Sequence, residues 1–402
     1  METAGRTVYV MSVVPDLSLK LRNKLPDVQV IDVKRRETAD FISGEDLTED
    51  DFQVLQDAEV LLIDNDLLPQ AVERLPLLRW AQGTWAGVDN VINFFKNKLK
   101  PRIPISRVVS KSFGQLMAEH VIGWIICHER SWLTSRQNQL KSEWKYAEVI
   151  RYRSLQDLTV GVLGMGIIGR EVPKYLKAFN STVHAYTRTA PSVADTCTAP
   201  SVAGTCTAPS VADTCIAPSV ADTCTAPSVA DTCTAPSVAD TCTAPSVADT
   251  CTAPSVESKS NYVDKYWRSD ELPLFLQQCD YIVSILPSTS ETRGMLGSDI
   301  LKNAKKNAVL INVGRGDVIS EADIVKALDS GWISAAILDV VEKEPLSSES
   351  LLWTHPKCIL TPHTAAVVVF RPEDIADAFS RNYQDFLQGN SISGTIDFSR
   401  GY

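Results

Sequence analysis

Residues Thr159–Gly169 have the sequence TVGVLGMGIIG, an apolar run that breaks at Gly164, Gly166 and Gly169. A helical pattern follows, and a second β-rich run, STVHAYTR, begins at Ser181. The order strand, tight turn, helix, strand predicts a dinucleotide-binding βαβ unit rather than a structural glycine turn. In such a unit Gly164 makes the turn, Gly166 lets the backbone approach a pyrophosphate, and Gly169 lets helix and strand pack closely. The helix N-terminus then faces the anion.

The composition indicates an acidic protein of more than one domain. The chain has 402 residues and a formal net charge of −10, which favours two domains and argues against a nucleic-acid partner. We found neither a leader-like N-terminus nor a long apolar run, so we expect a cytoplasmic protein without membrane association. Outside one repeated segment only Cys127, Cys279 and Cys358 occur, a cysteine usage typical of a reduced intracellular enzyme.

The repeated segment, Ala194–Val256, consists of seven nine-residue units of the form ADTCTAPSV. The units are shorter than those of solenoids and contain little to bury, so we predict a disordered insertion within a surface loop. A metal-binding array is the alternative. It is disfavoured because one cysteine per unit, without histidine, lacks the closely spaced ligand pairs of zinc sites.

The remaining sequence alternates between strands and helices, which predicts two parallel-sheet α/β domains. The apolar stretch Ser112–Leu133 is expected to form a long buried helix between them, and the last helix, PEDIADAFSRNYQDFLQG, is expected to return to the first domain. The predicted bounds are 1–110 with 365–402 for the smaller domain and 111–364 for the nucleotide-binding domain, with the insertion at 194–256.

Two residues near the glycine turn carry local predictions. Pro173 is expected to lie well inside the helix and to kink it, at a cost of about 3 kcal/mol. Asn180 is expected to end that helix in the left-handed conformation that glycine usually supplies.

In open α/β sheets, ligands bind beyond the carboxyl ends of the strands. In the second domain the residues at those ends include a guanidinium, two carboxylates and an imidazole. Arg315 can offer paired donors to a carboxylate, and His363 can exchange a proton near neutral pH, assisted by a neighbouring carboxylate. Taken singly, each has a structural alternative: Arg315 in a surface turn, Glu344 in the acidic run VEKEP, and His363 as a helix cap. The strand-end residues are Leu286, Pro287, Gly314, Arg315, Gly316, Asp339, Glu344 and His363.

The segments GVLGMGIIG, INVGRGDVI, LDVVEKEPL and LTPHTAA resemble the D-isomer-specific 2-hydroxyacid dehydrogenase family. The segment AQGTWAGVDN is similar to the glyoxylate/hydroxypyruvate reductase branch of that family. The resemblance covers the chain apart from the repeat. It implies a Rossmann doubly wound parallel sheet, a smaller flavodoxin-like substrate domain, and a homodimer.

The resemblance also implies roles for single residues. Arg315 would hold the carboxylate and keto oxygen of the substrate, His363 would be the acid/base, and Glu344 its partner. The backbone of Trp85, Ala86 and Gly87 would bind the substrate carboxylate. Asp339 would contact the nicotinamide carboxamide. The predicted cofactor-binding residues are Gly164, Gly166, Ile167, Ile168, Gly169, Arg188, Leu286, Pro287, Val313 and Asp339. The implied reaction is the NADPH-dependent reduction of a small 2-oxo acid such as glyoxylate or hydroxypyruvate.

The choice of cofactor follows from the end of the second strand. NAD-dependent relatives carry an acid there that bonds the ribose 2′-hydroxyl, whereas this chain has Tyr186-Thr187-Arg188-Thr189 and no acid before Asp195. A guanidinium and two hydroxyls suit a 2′-phosphate. NADP(H) is therefore the predicted cofactor, and NAD(H) remains possible if Arg188 is only solvated.

The alternative function comes from another class. Corepressors of the C-terminal-binding-protein type share the fold and the arginine, glutamate and histidine, and they use the dinucleotide to control assembly. The WAGVD sequence and the predicted NADP(H) preference favour the reductase, and a turnover assay distinguishes the two.

Overall fold

The three-dimensional structure is a computed structural model that describes residues 7–35, 46–188, 260–367 and 371–401. The predicted disordered insertion at 194–256 lies outside the described residues. The described residues contain two parallel sheets, as the alternating pattern predicts.

The first sheet has five strands in the order β2-β1-β3-β4-β5. All of its strand pairs are parallel. The sequence VLLI of the third strand is buried at every position, because helices cover both faces of a parallel sheet. The strands are β1 (Thr7–Met11), β2 (Gln29–Asp32), β3 (Val60–Ile63), β4 (Trp80–Gly83) and β5 (Ile105–Ser106). The helices of this region are α1 (Leu17–Lys24), α2 (Glu49–Leu55), α3 (Leu68–Arg74) and α4 (Asp89–Phe94).

The second sheet has seven strands in the order β12-β11-β10-β9-β6-β7-β8, all parallel. Strand β6 carries the Thr159–Leu163 segment, with β7 on one side and β9 on the other. The strand order reverses at this point, so the crevice beyond β6 and β9 is the expected ligand position. The other strands are β7 (Thr182–Tyr186), β8 (Lys265–Trp267), β9 (Tyr281–Ser284), β10 (Val309–Asn312), β11 (Ala335–Leu338) and β12 (Cys358–Leu360).

The connecting helix is shorter than the sequence predicts. It runs over Lys111–Glu129, and Ser131 then takes a left-handed φ of 50°, which separates it from the next helix. Its buried positions recur at helical spacing on one face. None of the helices among the described residues is long and apolar enough to cross a membrane. The helices of this part are α5 (Lys111–Glu129), α6 (Trp132–Leu140), α7 (Tyr146–Val149), α8 (Glu171–Lys177), α9 (Leu272–Leu276) and α10 (Glu321–Asp329).

The last helix, α11 (Pro372–Gln388), packs on the first sheet. Phe379 stacks on Trp80 of β4 with ring centroids 4.8 Å apart. Beyond the helix, Thr395 forms an antiparallel bridge with Ser106 of β5. The C-terminal residues therefore belong to the hydrophobic core around the first sheet. We call the first sheet with its packed helices the first lobe, and the second sheet with its packed helices the second lobe.

The expectation for Pro173 is wrong, and that for Asn180 is confirmed. Regular helix begins only at Glu171, so Pro173 lies in the first turn, where a backbone N–H has no partner within the helix. Proline costs little there. Asn180 has a φ of 58°, the left-handed conformation that ends the helix.

Candidate active site

The glycine turn has three different local environments. Gly164 has a φ of 98°, which favours glycine strongly. A β-carbon at Gly169 would collide with the carbonyl oxygen of Gly164, whereas one at Gly166 would meet nothing within 4 Å. The turn itself therefore requires the first and third glycines. At Gly166 the space beside the backbone is open. Regular helix begins only at Glu171, so Gly166 lies in the turn that precedes α8 and not in the first turn of the helix.

The residues that follow the neighbouring strands β9 and β10 lie against one another. Leu286 and Pro287 follow β9, and Val313 follows β10 with only 3% of its surface exposed. A β-carbon at Gly314 would lie 2.6 Å from both the amide nitrogen and the carbonyl oxygen of Leu286. The two segments thus touch through their backbones. The open backbone at Gly166 fits the close approach of a pyrophosphate.

Arg188 lies just beyond the end of β7 and is more than half exposed. Its Nη2 atom lies 2.7 Å from Oε2 of Glu291, a residue of the segment that follows Pro287. The predicted phosphate-binding guanidinium is therefore paired with a carboxylate that the sequence analysis did not identify.

The imidazole of His363 and the carboxylate of Glu344 form a hydrogen-bonded pair. Nδ1 lies 2.7 Å from Oε2, and the His363 side chain is 47% exposed. The other carboxylate oxygen accepts the Val341 amide at 3.1 Å. Burial raises the pKa of Glu344, whereas the hydrogen bond and charge of His363 and the hydrogen bond from the Val341 amide lower it. The net effect, to which Arg315 also contributes, is a pKa below the ordinary value.

Asp339 supports the loop that carries His363. The Asp339 side chain is buried. Its Oδ1 accepts hydrogen bonds from the Thr361 hydroxyl at 2.5 Å and the Thr364 amide at 2.9 Å, and its Oδ2 accepts the Ala365 amide at 2.9 Å. His363 itself has a left-handed φ of 54°, an uncommon conformation that surrounding contacts must hold. The carboxylate supplies those contacts.

Arg315 extends from the end of β10 towards the first lobe. Its Nε donates to Oδ2 of Asp89 at 2.6 Å, and its Nη1 donates to the carbonyl oxygen of Gly314 at 2.8 Å. The Nη2 atom lies so close to Gly87 that a β-carbon there would overlap it. The guanidinium therefore meets the predicted substrate loop, and it acts on the pKa of Glu344 as well.

The carbonyl oxygens of the loop Trp85–Gly87 accept hydrogen bonds from side chains of the first lobe. Asn65, which is buried, donates to the carbonyl oxygens of Trp85 and Gly87 and accepts the Trp85 amide at 3.0 Å. Arg107 donates to the carbonyl oxygen of Ala86 at 2.9 Å. Across the described ranges, no residue accepts a hydrogen bond from the amides of Ala86 and Gly87. Those amides can bind an anion.

The structure thus brings Arg315, Glu344 and His363 together, with Gly87 beside the arginine. Sequence reasoning missed Asn65 and Asp89. Asn65 follows β3, so the strand-end rule would have found it had that rule been applied to the first sheet. Asp89 lies within the AQGTWAGVDN segment, but no motif or spacing there indicates that it reaches an arginine of the other lobe.

The family is decided by a match over more than half of the chain. Residues 122–214 and 235–365 match the family model described as D-isomer specific 2-hydroxyacid dehydrogenase, NAD binding domain. The chain belongs to this family. It is an NAD(P)-dependent 2-hydroxyacid dehydrogenase by family, an oxidoreductase with a nicotinamide dinucleotide-binding domain.

Solved structures of the D-isomer specific 2-hydroxyacid dehydrogenase family have the same fold. A member from Aeromonas salmonicida is 25% identical with a TM-score of 0.70, over 98% of this chain and 100% of that one. A member from Xanthobacter autotrophicus, in complex with NADPH and MES, is 23% identical with a TM-score of 0.69, over 98% and 99%. An NADPH-dependent glyoxylate/hydroxypyruvate reductase from Sinorhizobium meliloti, in complex with NADP and sulfate, is 23% identical with a TM-score of 0.67, over 98% and 99%.

Proposed function

We propose that the protein reduces small 2-oxo acids such as glyoxylate or hydroxypyruvate to 2-hydroxy acids, with NADPH as the preferred reductant. The observation that carries this proposal is the 2.7 Å pair of His363 and Glu344, on the same site as Arg315. A proton donor, a cation and free backbone amides are what an anionic carbonyl substrate needs for reduction.

In this mechanism the Ala86 and Gly87 amides hold the substrate carboxylate, and Arg315 offsets the charge that develops on the carbonyl oxygen. Bound NADPH would supply the hydride to the carbonyl carbon. His363 gives the proton on Nε2 to the oxygen, while Glu344 holds Nδ1 and stabilises the charged ring. We assign no partner to Nε2 within the described residues, so it is available to the substrate.

The preference for NADPH rests on Arg188 at the end of β7, where NAD-dependent relatives carry an acid. Two proteins of the same fold bind NADPH or NADP in crystals, which supports the proposal. The ion pair places the Glu291 carboxylate beside Arg188, so use of NADH as a slower reductant is also expected.

The assignment of domains is part of the proposal. We propose that residues 1–110 with 365–402 form the substrate domain and that 111–364 form the nucleotide-binding domain. We also propose a cytoplasmic location, because Cys127, Cys279 and Cys358 are free thiols. Burial raises the pKa of Cys358 to about 12, which keeps this thiol protonated at neutral pH.

A homodimer is proposed from the surface of the segment that follows α5. Large apolar side chains there are exposed, with Trp144 at 96% and Leu140 at 70%. A patch of this kind marks an interaction surface, and a second copy of the chain is the proposed occupant. Analytical ultracentrifugation of the native protein and Trp144→Ala tests this: a native monomer would remove the dimer from the proposal.

The test of the function is a turnover assay. Native protein is mixed with glyoxylate, hydroxypyruvate and pyruvate, each with NADPH and with NADH, and loss of the reduced cofactor is followed. We expect turnover of at least one acid, and a higher kcat/KM with NADPH. NADPH binding without turnover of any of the acids would instead favour the dinucleotide-sensing alternative.

A further inference from the structure

The two lobes meet through an ion pair of Asp89 and Arg315. Asp89 follows the Trp85–Gly87 loop and is the first residue of α4, in the first lobe. Arg315 follows β10 of the second sheet, 226 residues later in the chain. Its Nε donates to Oδ2 of Asp89 at 2.6 Å, with side-chain exposures of 28% for the arginine and 36% for the aspartate.

The hydrogen bonds of the guanidinium determine which of its nitrogens can reach a substrate. Nε is used by Asp89, and Nη1 donates to the carbonyl oxygen of Gly314. Nη2 has no acceptor among the residues that the structure describes, and it lies against Gly87. An arginine side chain has several rotatable bonds, whereas its planar head fixes the directions of all its donors once one edge is held. Asp89 holds that edge.

Two effects of Asp89 on the site are opposite in sign. A carboxylate beside Arg315 lowers the positive potential that an anionic substrate meets, so through charge alone its removal would tighten binding. A carboxylate that fixes the guanidinium raises the rate, because misplacement by about 1 Å can cost about a hundredfold in rate. The pair is partly buried and joins two lobes, so we expect the second effect to exceed the first.

We propose that Asp89 is a positioning residue that directs Nη2 of Arg315 towards the anion held by the Ala86 and Gly87 amides. The inference rests on the proposed function of the site. It also gives Gly87 a second role, since the absence of a side chain leaves the space that Nη2 occupies. The lobe that holds the substrate thereby aligns the arginine of the opposite lobe.

The test compares Asp89→Ala, Asp89→Asn and Gly87→Ala with native protein. Glu73→Gln is the matched control, because Glu73 pairs with Lys98 at 2.7 Å on the surface of the same lobe. Folding is checked by thermal unfolding, kcat and KM are measured with glyoxylate and NADPH, and binding of oxalate to the NADPH-loaded protein is measured by calorimetry. Asp89→Asn keeps an acceptor oxygen and therefore serves as the conservative variant if the alanine variant does not fold.

We expect kcat to fall about tenfold or more in Asp89→Ala and Gly87→Ala, less in Asp89→Asn, and not in Glu73→Gln. Oxalate should bind more weakly to both alanine variants. A native kcat in Asp89→Ala, or tighter oxalate binding, would overturn the role of Asp89. If native protein binds oxalate but reduces no 2-oxo acid, the proposed function fails, and weaker oxalate binding by Asp89→Ala still decides the role of Asp89. If native protein binds no oxalate, both proposals fail.

Discussion

Nδ1 of His363 lies 2.7 Å from Oε2 of Glu344, while Oε1 of the same carboxylate accepts the Val341 amide at 3.1 Å. Both oxygens of the glutamate are therefore fixed. Burial opposes the charged form, but the interactions with His363, the Val341 amide and Arg315 together outweigh it and hold the pKa of Glu344 below its ordinary value. The carboxylate thus stays ionised until the pH falls through that lowered value. Its stabilisation of the charged imidazole is present at neutral pH and is lost only in acid.

The first prediction concerns Glu344→Gln, which keeps the size of the side chain and removes its charge. Without the charge, the hydrogen bond that orients the His363 ring through Nδ1 is weaker. kcat should be reduced by about tenfold to a hundredfold at neutral pH. Native activity should also fall as the pH drops through the lowered pKa of Glu344, and this acid limb of the kcat/KM profile should be absent in the variant.

The control is Glu342→Gln, which changes an exposed residue of the same acidic run and should leave the profile in place. A native kcat at neutral pH in Glu344→Gln, or an acid limb identical to that of native protein, would remove Glu344 from its role as the partner of His363.

The second prediction distinguishes two roles of Asp339. The resemblance implies a contact with the nicotinamide, whereas in the structure both carboxylate oxygens support the Thr361–Ala365 loop. Asp339→Asn places an amide N–H opposite a backbone or hydroxyl donor and leaves it unsatisfied, at a cost of about 1–3 kcal/mol in the free energy of unfolding. We expect kcat to fall with little change in the Kd of NADPH. A large rise in that Kd with unchanged stability would assign Asp339 to the cofactor instead.

The third prediction concerns Arg188 and Glu291, whose side chains lie 2.7 Å apart. Arg188→Ala should reduce kcat/KM for NADPH by about tenfold, the equivalent of one charge-assisted hydrogen bond of about 1.5 kcal/mol, and leave NADH unchanged. Glu291→Gln should raise kcat/KM for NADPH, because the carboxylate no longer competes with the 2′-phosphate for Arg188. The increase should be modest, since exposed ion pairs are worth about 1 kcal/mol or less. A native preference for NADH would contradict the assignment of the 2′-phosphate to Arg188.

The fourth prediction compares two glycines of the turn. A β-carbon at Gly166 meets nothing within 4 Å, whereas one at Gly169 collides with the Gly164 carbonyl oxygen. Gly166→Ala should therefore fold with near-native stability and bind NADPH poorly. Gly169→Ala should lower the free energy of unfolding by about 1–3 kcal/mol or more. Chemical denaturation measures the change in stability, and cofactor titration measures NADPH binding. Tight NADPH binding by Gly166→Ala would argue against a pyrophosphate beside Gly166.

The sequence predicts the two sheets well because a strand that is buried on both faces is a short apolar run. Such runs, for example Val60–Ile63 and Val309–Asn312, can be recognised from their own residues alone. The two short strands β5 and β8 escape prediction. They have two and three residues, and their pairing comes from neighbouring strands rather than from a pattern of their own. The end of α5 is missed for a similar reason, since apolar residues continue past Ser131, where the backbone turns.

In the candidate site, the proximity of Arg315, Glu344 and His363 could be predicted because each follows a strand of one sheet, and the carboxyl ends of parallel strands lie at one edge. The Asp339 contacts, the Arg188–Glu291 pair and the Asp89–Arg315 pair depend on how loops from different strands or lobes meet. Side chains that are distant in sequence make these contacts. No spacing or periodicity in the chain specifies them.

The central claim is that this chain transfers a hydride from NADPH to the carbonyl carbon of a 2-oxo acid, with His363 as the proton donor. The most direct measurement is mass spectrometry of the product formed from hydroxypyruvate and NADPH that carries deuterium at the transferred position, with native protein and with His363→Asn. We predict a D-2-hydroxy acid that contains one deuterium per molecule, formed at least about a hundredfold more slowly by the variant. Product without deuterium, or equal rates for native protein and the variant, would contradict the account.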